Sequence, residues 1–131
     1  MSQAKVLADR RYTKDHEWAK EAAGKVTVGI SAFAVEQLGD ITLVNFDVKV
    51  GDKVVAGKVF GTIESVKTLS DLYAPVSGTV VAINGDLDSA PELVNDDPWE
   101  KGWMIQITAD GPTATLLDPG AYEAHVAAAD H

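Results

Sequence analysis

The feature that most constrains this chain is the density of short alternating runs, broken by turn residues, across positions 24–107. Apolar residues alternate with others in Val26-Thr27-Val28-Gly29-Ile30 and in Trp103-Met104-Ile105-Gln106-Ile107, the period of half-buried strands. Residues 41–46 and 59–63 predict further strands, joined through the turn residues Gly51-Asp52 and Gly57-Lys58. Another strand is expected over 79–83, ending at the turn dipeptide Asn84-Gly85. Ser31 is placed to cap a short helix over 31–38 through Phe33, Val35 and Leu38, with Gly39 ending it. After Gly111-Pro112 the pattern changes. Asp118-Pro119 puts a capping residue before a proline suited to the first helical position, and Tyr122 and Val126 share one face of a helix expected over 118–129. Strands this short and numerous imply a mostly β sandwich or barrel, not a parallel α/β sheet. A faint echo links Gly51-Asp52-Lys53-Val54-Val55 to Gly78-Thr79-Val80-Val81, each a glycine leading into paired valines.

Length and charge narrow the function. A chain of 131 residues suits one domain, 1–131, with a core large enough to need no staple. Its 46% hydrophobic and 24% charged residues lie in the ordinary globular range. A net charge of -9 repels phosphate backbones and anionic lipids, so neither nucleic acid nor membrane is an expected partner. With no cysteine there is no disulfide, thiol catalysis or thiolate-held metal, and His125 and His131 lack the spaced partners a metal site needs. Residues 1–11 carry scattered charges without an apolar run, unlike a signal peptide, membrane anchor or transit segment. The expected compartment is a prokaryotic cytoplasm, with a mature mitochondrial form as the alternative.

The most informative segment runs over 61–78, where a strand rises to Glu64, polar residues surround Lys67, and a second extended stretch descends to Ala74-Pro75. This displays Lys67 at a hairpin tip. The plain alternative is one more solvated lysine. A carrier, however, needs an amine on a long stem, held by a rigid β scaffold and open to several enzymes. An acyl cofactor joined to that amine by an amide removes the charge and makes an arm of roughly 14 Å from summed bond lengths. A tethered intermediate gains effective concentration at each partner it reaches.

The blocks around that lysine resemble the H protein of the glycine cleavage system, a family of lipoyl-bearing shuttles. Tyr12-Thr13-Lys14-Asp15-His16-Glu17-Trp18 is similar to the family's N-terminal motif, and Val28-Gly29-Ile30-Ser31 followed by Leu38-Gly39-Asp40 to its next. Glu64-Ser65-Val66-Lys67 resembles its lipoylation motif. Ala74-Pro75-Val76-Ser77-Gly78, Val81-Ala82-Ile83-Asn84, Pro91-Glu92-Leu93-Val94-Asn95, Asp97-Pro98-Trp99 and Gly102-Trp103 follow in the family's order. Asn45-Phe46-Asp47 and Thr68 depart from the usual pattern without touching the anchor.

The resemblance implies a small barrel-sandwich hybrid of the lipoyl/biotinyl-carrier kind, with lipoic acid attached covalently at Lys67 and no catalysis by the chain itself. It implies glycine decarboxylase, aminomethyltransferase and dihydrolipoamide dehydrogenase as partners, with a lipoate ligase or lipoyl/octanoyl transferase attaching the arm. The arm would take an aminomethyl group from the first enzyme to the second and present its dithiol to the third. The resemblance also places a sheltering cleft near His16 and Glu17 and the residue four beyond the lysine, so Glu17, Asp15, Asp71 and His16 are its candidates. Trp18, Trp99 and Trp103 are expected in core or rim packing, and His16 in a structural hydrogen bond.

Three rivals stand beside this reading. A catalytic lysine needs burial or a neighbouring cation, whereas Glu64 and Asp71 are acids that favour the ammonium form. There is no Gly-x-Ser-x-Gly elbow, and Ser65-Val66-Lys67 lacks the Ser-x-x-Lys spacing. A biotinyl carrier usually flanks its lysine with methionines, where this chain has Val66 and Thr68. A lipoyl relay to other complexes would share the fold and the anchor.

Overall fold

The computed structural model describes residues 6–111 and 116–129; the start of the N-terminal segment, Pro112 and His131 lie outside them. The elements run in the order β1 (Arg11–Tyr12), β2 (Glu17–Ala22), β3 (Lys25–Ile30), α1 (Ala32–Leu38), β4 (Ile41–Phe46), β5 (Lys53–Val54), β6 (Val59–Ser65), β7 (Leu69–Tyr73), β8 (Gly78–Ile83), α2 (Asp86–Ser89), α3 (Leu93–Asp96), β9 (Ile105–Ala109) and α4 (Pro119–Ala129). They form a six-stranded sheet in the order β1-β2-β3-β9-β8-β5 and a three-stranded sheet in the order β4-β6-β7, antiparallel throughout. Among the described residues no ladder joins the two sheets into a closed barrel, so the hybrid is realised as a sandwich.

Alternation explains the core. Val26, Val28 and Ile30 of β3, Val80 of β8 and Ile105 and Ile107 of β9 point to the same side as Ile41, Val44, Phe60, Ile63 and Leu72 of the smaller sheet. Leu87 of α2 and Val94 of α3 complete this cluster. A second cluster sits behind the larger sheet, where Tyr12, Trp18, Phe33, Tyr122 and Val126 pack together. Helix α1 is shared between the two, giving Ala34 and Leu38 to the first and Phe33 to the second.

Both expected helix starts are present in detail. Ser31 Oγ accepts from the Ala34 amide at 3.2 Å, and Gly39 closes α1 at φ 79° and ψ -150°, a region essentially reserved for glycine. Asp118 Oδ1 accepts from the Ala121 amide at 2.8 Å, Pro119 opens α4, and Tyr122 and Val126 are both buried. The paired-valine echo becomes a strand pair, with Lys53 opposite Thr79 and Val54 opposite Gly78.

Some expectations shift. Strands begin before position 24, because Glu17–Ala22 pairs along the whole of Lys25–Ile30. The last strand starts at Ile105, and Met104 instead donates its amide to Val28 O at 2.7 Å. Strand β8 ends at Ile83 and Asn84-Gly85 turns the chain as expected, here into a helix. Asn84 is buried, its Nδ2 donates to the carbonyls of Lys101 (3.0 Å) and Trp103 (2.8 Å), and β8 runs through Gly85 at φ -65° into α2.

Candidate functional site

The β6–β7 hairpin presents Lys67 to solvent. Strand pairing ends at Glu64 opposite Leu69, and beyond it the Ser65 amide donates to Thr68 O at 2.8 Å. The buried Ser65 hydroxyl then organises the tip, accepting from the amides of Lys67 and Thr68, each at 3.2 Å. Such hydroxyl-to-backbone bonds hold a turn that short side chains could not fix by packing. Val66 beside the lysine and Leu69 two residues beyond it are 67% and 63% exposed. Among the described residues no hydrogen bond or ion pair engages the Lys67 ammonium, which leaves its nitrogen open to acylation. Its stem crosses Gly39: a methyl group built there would lie 3.4 Å from Lys67 Cε.

The four sequence candidates Asp15, His16, Glu17 and Asp71 come together on one open cleft of about 150 Å³. Ala34, Leu38, Ile63 and Leu72 supply its apolar wall. At most about 14 Å of extended chain separates the Cα atoms of Lys67 and Asp71, comparable to the length of an acyl-lysine arm. Asp15 and Asp71 are exposed at the rim, whereas Glu17 is 1% exposed. The Thr13 hydroxyl donates to Glu17 Oε1 at 2.5 Å and the Tyr73 amide to Oε2 at 3.3 Å. Two donors do not offset the loss of water, so burial pushes the Glu17 carboxyl up to about 7.

His16 turns the chain so that Asp15 and Glu17 both reach this cleft. It sits at φ 73°, a conformation uncommon outside glycine, and its carbonyl accepts from the Ser31 amide at 2.8 Å. Its Nδ1 lies 2.8 Å from the Tyr122 hydroxyl, which is in turn 2.6 Å from Ser31 Oγ. Burial, and then the proximity of His125, hold the His16 pKa below its ordinary value. His125 donates Nε2–H to the Lys14 carbonyl at 2.9 Å, since a carbonyl can only accept. Thr13, Ser31 and Tyr122 were not singled out for the cleft by sequence; only Thr13, four positions from Glu17 on the same turn, carried a local signal.

The tryptophans pack. Trp18 is buried with Nε1 donating to Pro98 O at 3.0 Å, the Arg10 guanidinium lies 4.5 Å from its ring centroid, and Trp99 and Trp103 border the same cluster. Among the described residues there is no group of three or more His, Asp or Glu able to hold a metal ion, and no helix long and apolar enough to cross a membrane.

Comparison with known proteins agrees with this arrangement. The glycine cleavage H-protein family matches over residues 10–128. A probable glycine cleavage system H protein of Natronomonas pharaonis is 53% identical, covering 93% of this chain and 97% of its own length. The glycine cleavage system H protein of Anaeromyxobacter sp. (strain K) is 47% identical over 92% of this chain and 95% of its own. A crystal structure of a glycine cleavage system H protein from Mycobacterium marinum superimposes with a TM-score of 0.85 at 38% identity, over 93% of this chain and 99% of that one. The chain therefore belongs to the glycine cleavage H-protein family.

Proposed function

We propose that this chain is a non-catalytic carrier of the glycine cleavage system, with lipoic acid joined by an amide to Lys67 Nζ. The observation that carries the reading is the placement of an unengaged lysine on a hairpin whose second strand leads, within an arm's length, to a cleft holding a buried carboxyl. The residues present fit the group: the Lys67 nitrogen is open to solvent, and the cleft offers an apolar wall for a hydrocarbon chain. When bound, a lipoyl group supplies a disulfide able to take up a one-carbon amine unit and to be regenerated from its dithiol.

This chain's own residues then position and shelter. Asp15 and Asp71 at the rim attract a cationic amine, and Glu17 receives it away from water, where a charge-assisted hydrogen bond is strong. A cation beside Glu17 draws its pKa down again, so entry of the amine and release of the carboxyl proton are coupled. His16 orients the turn, and Glu64, Ser65 and Val66 present the anchor. Glycine decarboxylase, aminomethyltransferase and dihydrolipoamide dehydrogenase supply the catalytic groups as partners, a lipoate ligase or lipoyl/octanoyl transferase attaches the arm, and the setting is the cytoplasm.

Intact mass of the chain purified from its native source tests the attachment, because lipoylated, biotinylated and bare chains differ in mass. A lipoyl adduct mapped to Lys67 is expected. In Lys67→Arg the charge persists but the acceptor amine is gone, so reconstituted glycine cleavage should fall to background; normal turnover by that variant would end the proposal.

A further inference from the structure

Asn95, far from the lysine in sequence, engages the turn on which the lysine hairpin rests. From α3 its Nδ2 donates to Gly39 O at 2.9 Å and its Oδ1 accepts from the Ile41 amide at 2.8 Å. Both ends of the 39–41 turn are thereby fixed by one side chain. The residue between them, Asp40, uses its carbonyl to accept from the Val66 amide at 3.0 Å. Gly39 lies under the lysine itself: a methyl group built there would be 3.4 Å from Lys67 Cε and 3.8 Å from Val66 Cγ2.

We infer that Asn95 is a positioning residue for Lys67, and that the modifying enzyme reads a two-segment surface, the hairpin tip together with the 39–41 turn that Asn95 holds in register with it. This rests on the lipoyl-carrier reading above. The physical need is plain. Val66 is 67% exposed and has no core to pack against; beyond the last β4–β6 pair, Ile41 opposite Ser65, the tip is restrained by the Ser65 bonds within the hairpin and by the Asp40 bond from outside it. Fixing one backbone residue costs about 1–2 kcal/mol of conformational entropy, comparable to the net worth of the bonds available, so a backing turn that wandered would release the tip. Gly39 adds to the dependence, because its backbone has φ 79° and ψ -150° and packing of a side chain cannot hold it there. An amide side chain carries a donor and an acceptor on separate atoms and so satisfies one carbonyl and one N–H two residues apart, whereas a carboxylate offers no donor and an alkyl side chain neither.

The test uses the full chain as wild type, Asn95→Ala and Asn95→Asp, the last keeping the acceptor for Ile41 but losing the donor to Gly39. Two quantities are read: the exchange rate of the Val66 amide, with the Met104 amide as a remote reference, and kcat and KM for acylation of Lys67 by a lipoate–protein ligase supplied with lipoate and ATP. Asn95→Ala should lower kcat/KM about tenfold, chiefly through KM, the factor that about 1.4 kcal/mol represents. Val66 exchange should quicken while Met104 does not, and Asn95→Asp should fall between. Unchanged Val66 exchange, unchanged kcat/KM, or equal acceleration at Val66 and Met104 overturns the inference; if Asn95→Ala does not fold, Asn95→Asp decides by the same criteria. A wild-type chain that the ligase never acylates would instead refute the carrier reading, and Val66 exchange would still judge the Asn95 contact.

Discussion

Lys67 and Glu17 stand at opposite ends of the solvent scale, although both contribute to one proposed task. The lysine is exposed on a four-residue tip organised by a serine hydroxyl, with the turn at Gly39 rather than the core beneath it. The glutamate is 1% exposed on β2, its neighbour Trp18 fills the second cluster, and the turn before it is bonded to α1 and α4 through Ser31 and Tyr122. A group that several enzymes must reach needs water around it, so evolution of the tip is free of packing. A group that must hold a cation out of water needs a rigid dry wall, so its segment is built into the core. Stability and function should therefore separate at the hairpin and coincide in β2.

The largest effect lies in β2. Trp18→Ala removes a fully buried ring that faces Gly29, lies beneath Arg10 and donates to Pro98 O. Loss of that packing should cost about 3–5 kcal/mol, as deletion of a buried aromatic generally does. Urea denaturation would read it as a lower midpoint with little change in slope. A loss below about 1 kcal/mol would break the comparison, since β2 would then be no more embedded than the tip.

Glu17 gives the next effect, and its sign is fixed by the pKa. The folded value of about 7 exceeds the ordinary 4.5, so the native state holds this proton more tightly than the unfolded chain. Its contribution to stability is complete below pH 4.5 and is lost as pH rises through 7, on the order of 3 kcal/mol over the whole window. His16 works in the other direction: held below 6.5, it contributes above that pH and loses its contribution as pH falls through its folded value. Comparing wild type with Glu17→Gln isolates the carboxyl, because Gln occupies the same space without titrating and both proteins keep His16. The variant's advantage should grow from pH 5 to pH 8. A difference independent of pH would mean that the carboxylate is hydrated, and the dry wall would have no physical basis.

The same contrast decides what could be read from the amino-acid sequence. The hairpin was legible because its determinants are local: apolar alternation up to Ile63, polar residues at the tip, and a lysine in a recognisable motif. Ser31, Gly39 and Asp118 were legible for the same reason, each acting on backbone groups within four residues. Strand β2 was harder. Glu17 points towards the first core while Trp18 faces the second cluster, so both faces are buried and the hydrophobic alternation that marks a strand is inverted at its start. Asn84-Gly85 was legible as the turn that ends β8, whereas the bonds of Asn84 to the carbonyls of Lys101 and Trp103 lie beyond any local rule. The cleft set of Asp15, His16, Glu17 and Asp71 came from resemblance, whereas the bonds that Thr13, Tyr122 and Asn95 make around the cleft and the lysine turn are evident only in the coordinates. Their partners are four to 106 residues away, and only the folded chain brings the distant ones together.

The smallest expected effect is at Lys67 itself, and it sharpens the contrast most. Neither an ion pair nor a hydrogen bond holds its ammonium among the described residues, and its stem touches the exposed turn at Gly39. Replacement by Arg keeps the charge and most of the stem, so the unfolding free energy should stay within about 0.5 kcal/mol of wild type. Chemical denaturation of the unmodified chains reads this directly, free of any contribution from an attached arm. Set beside the loss of carrier activity expected from the same substitution, a near-zero change means that the hairpin presents its lysine without depending on it. A shift above about 1 kcal/mol would place Lys67 in the structural framework after all, and the exposed tip would have to be understood as a packed corner of the fold.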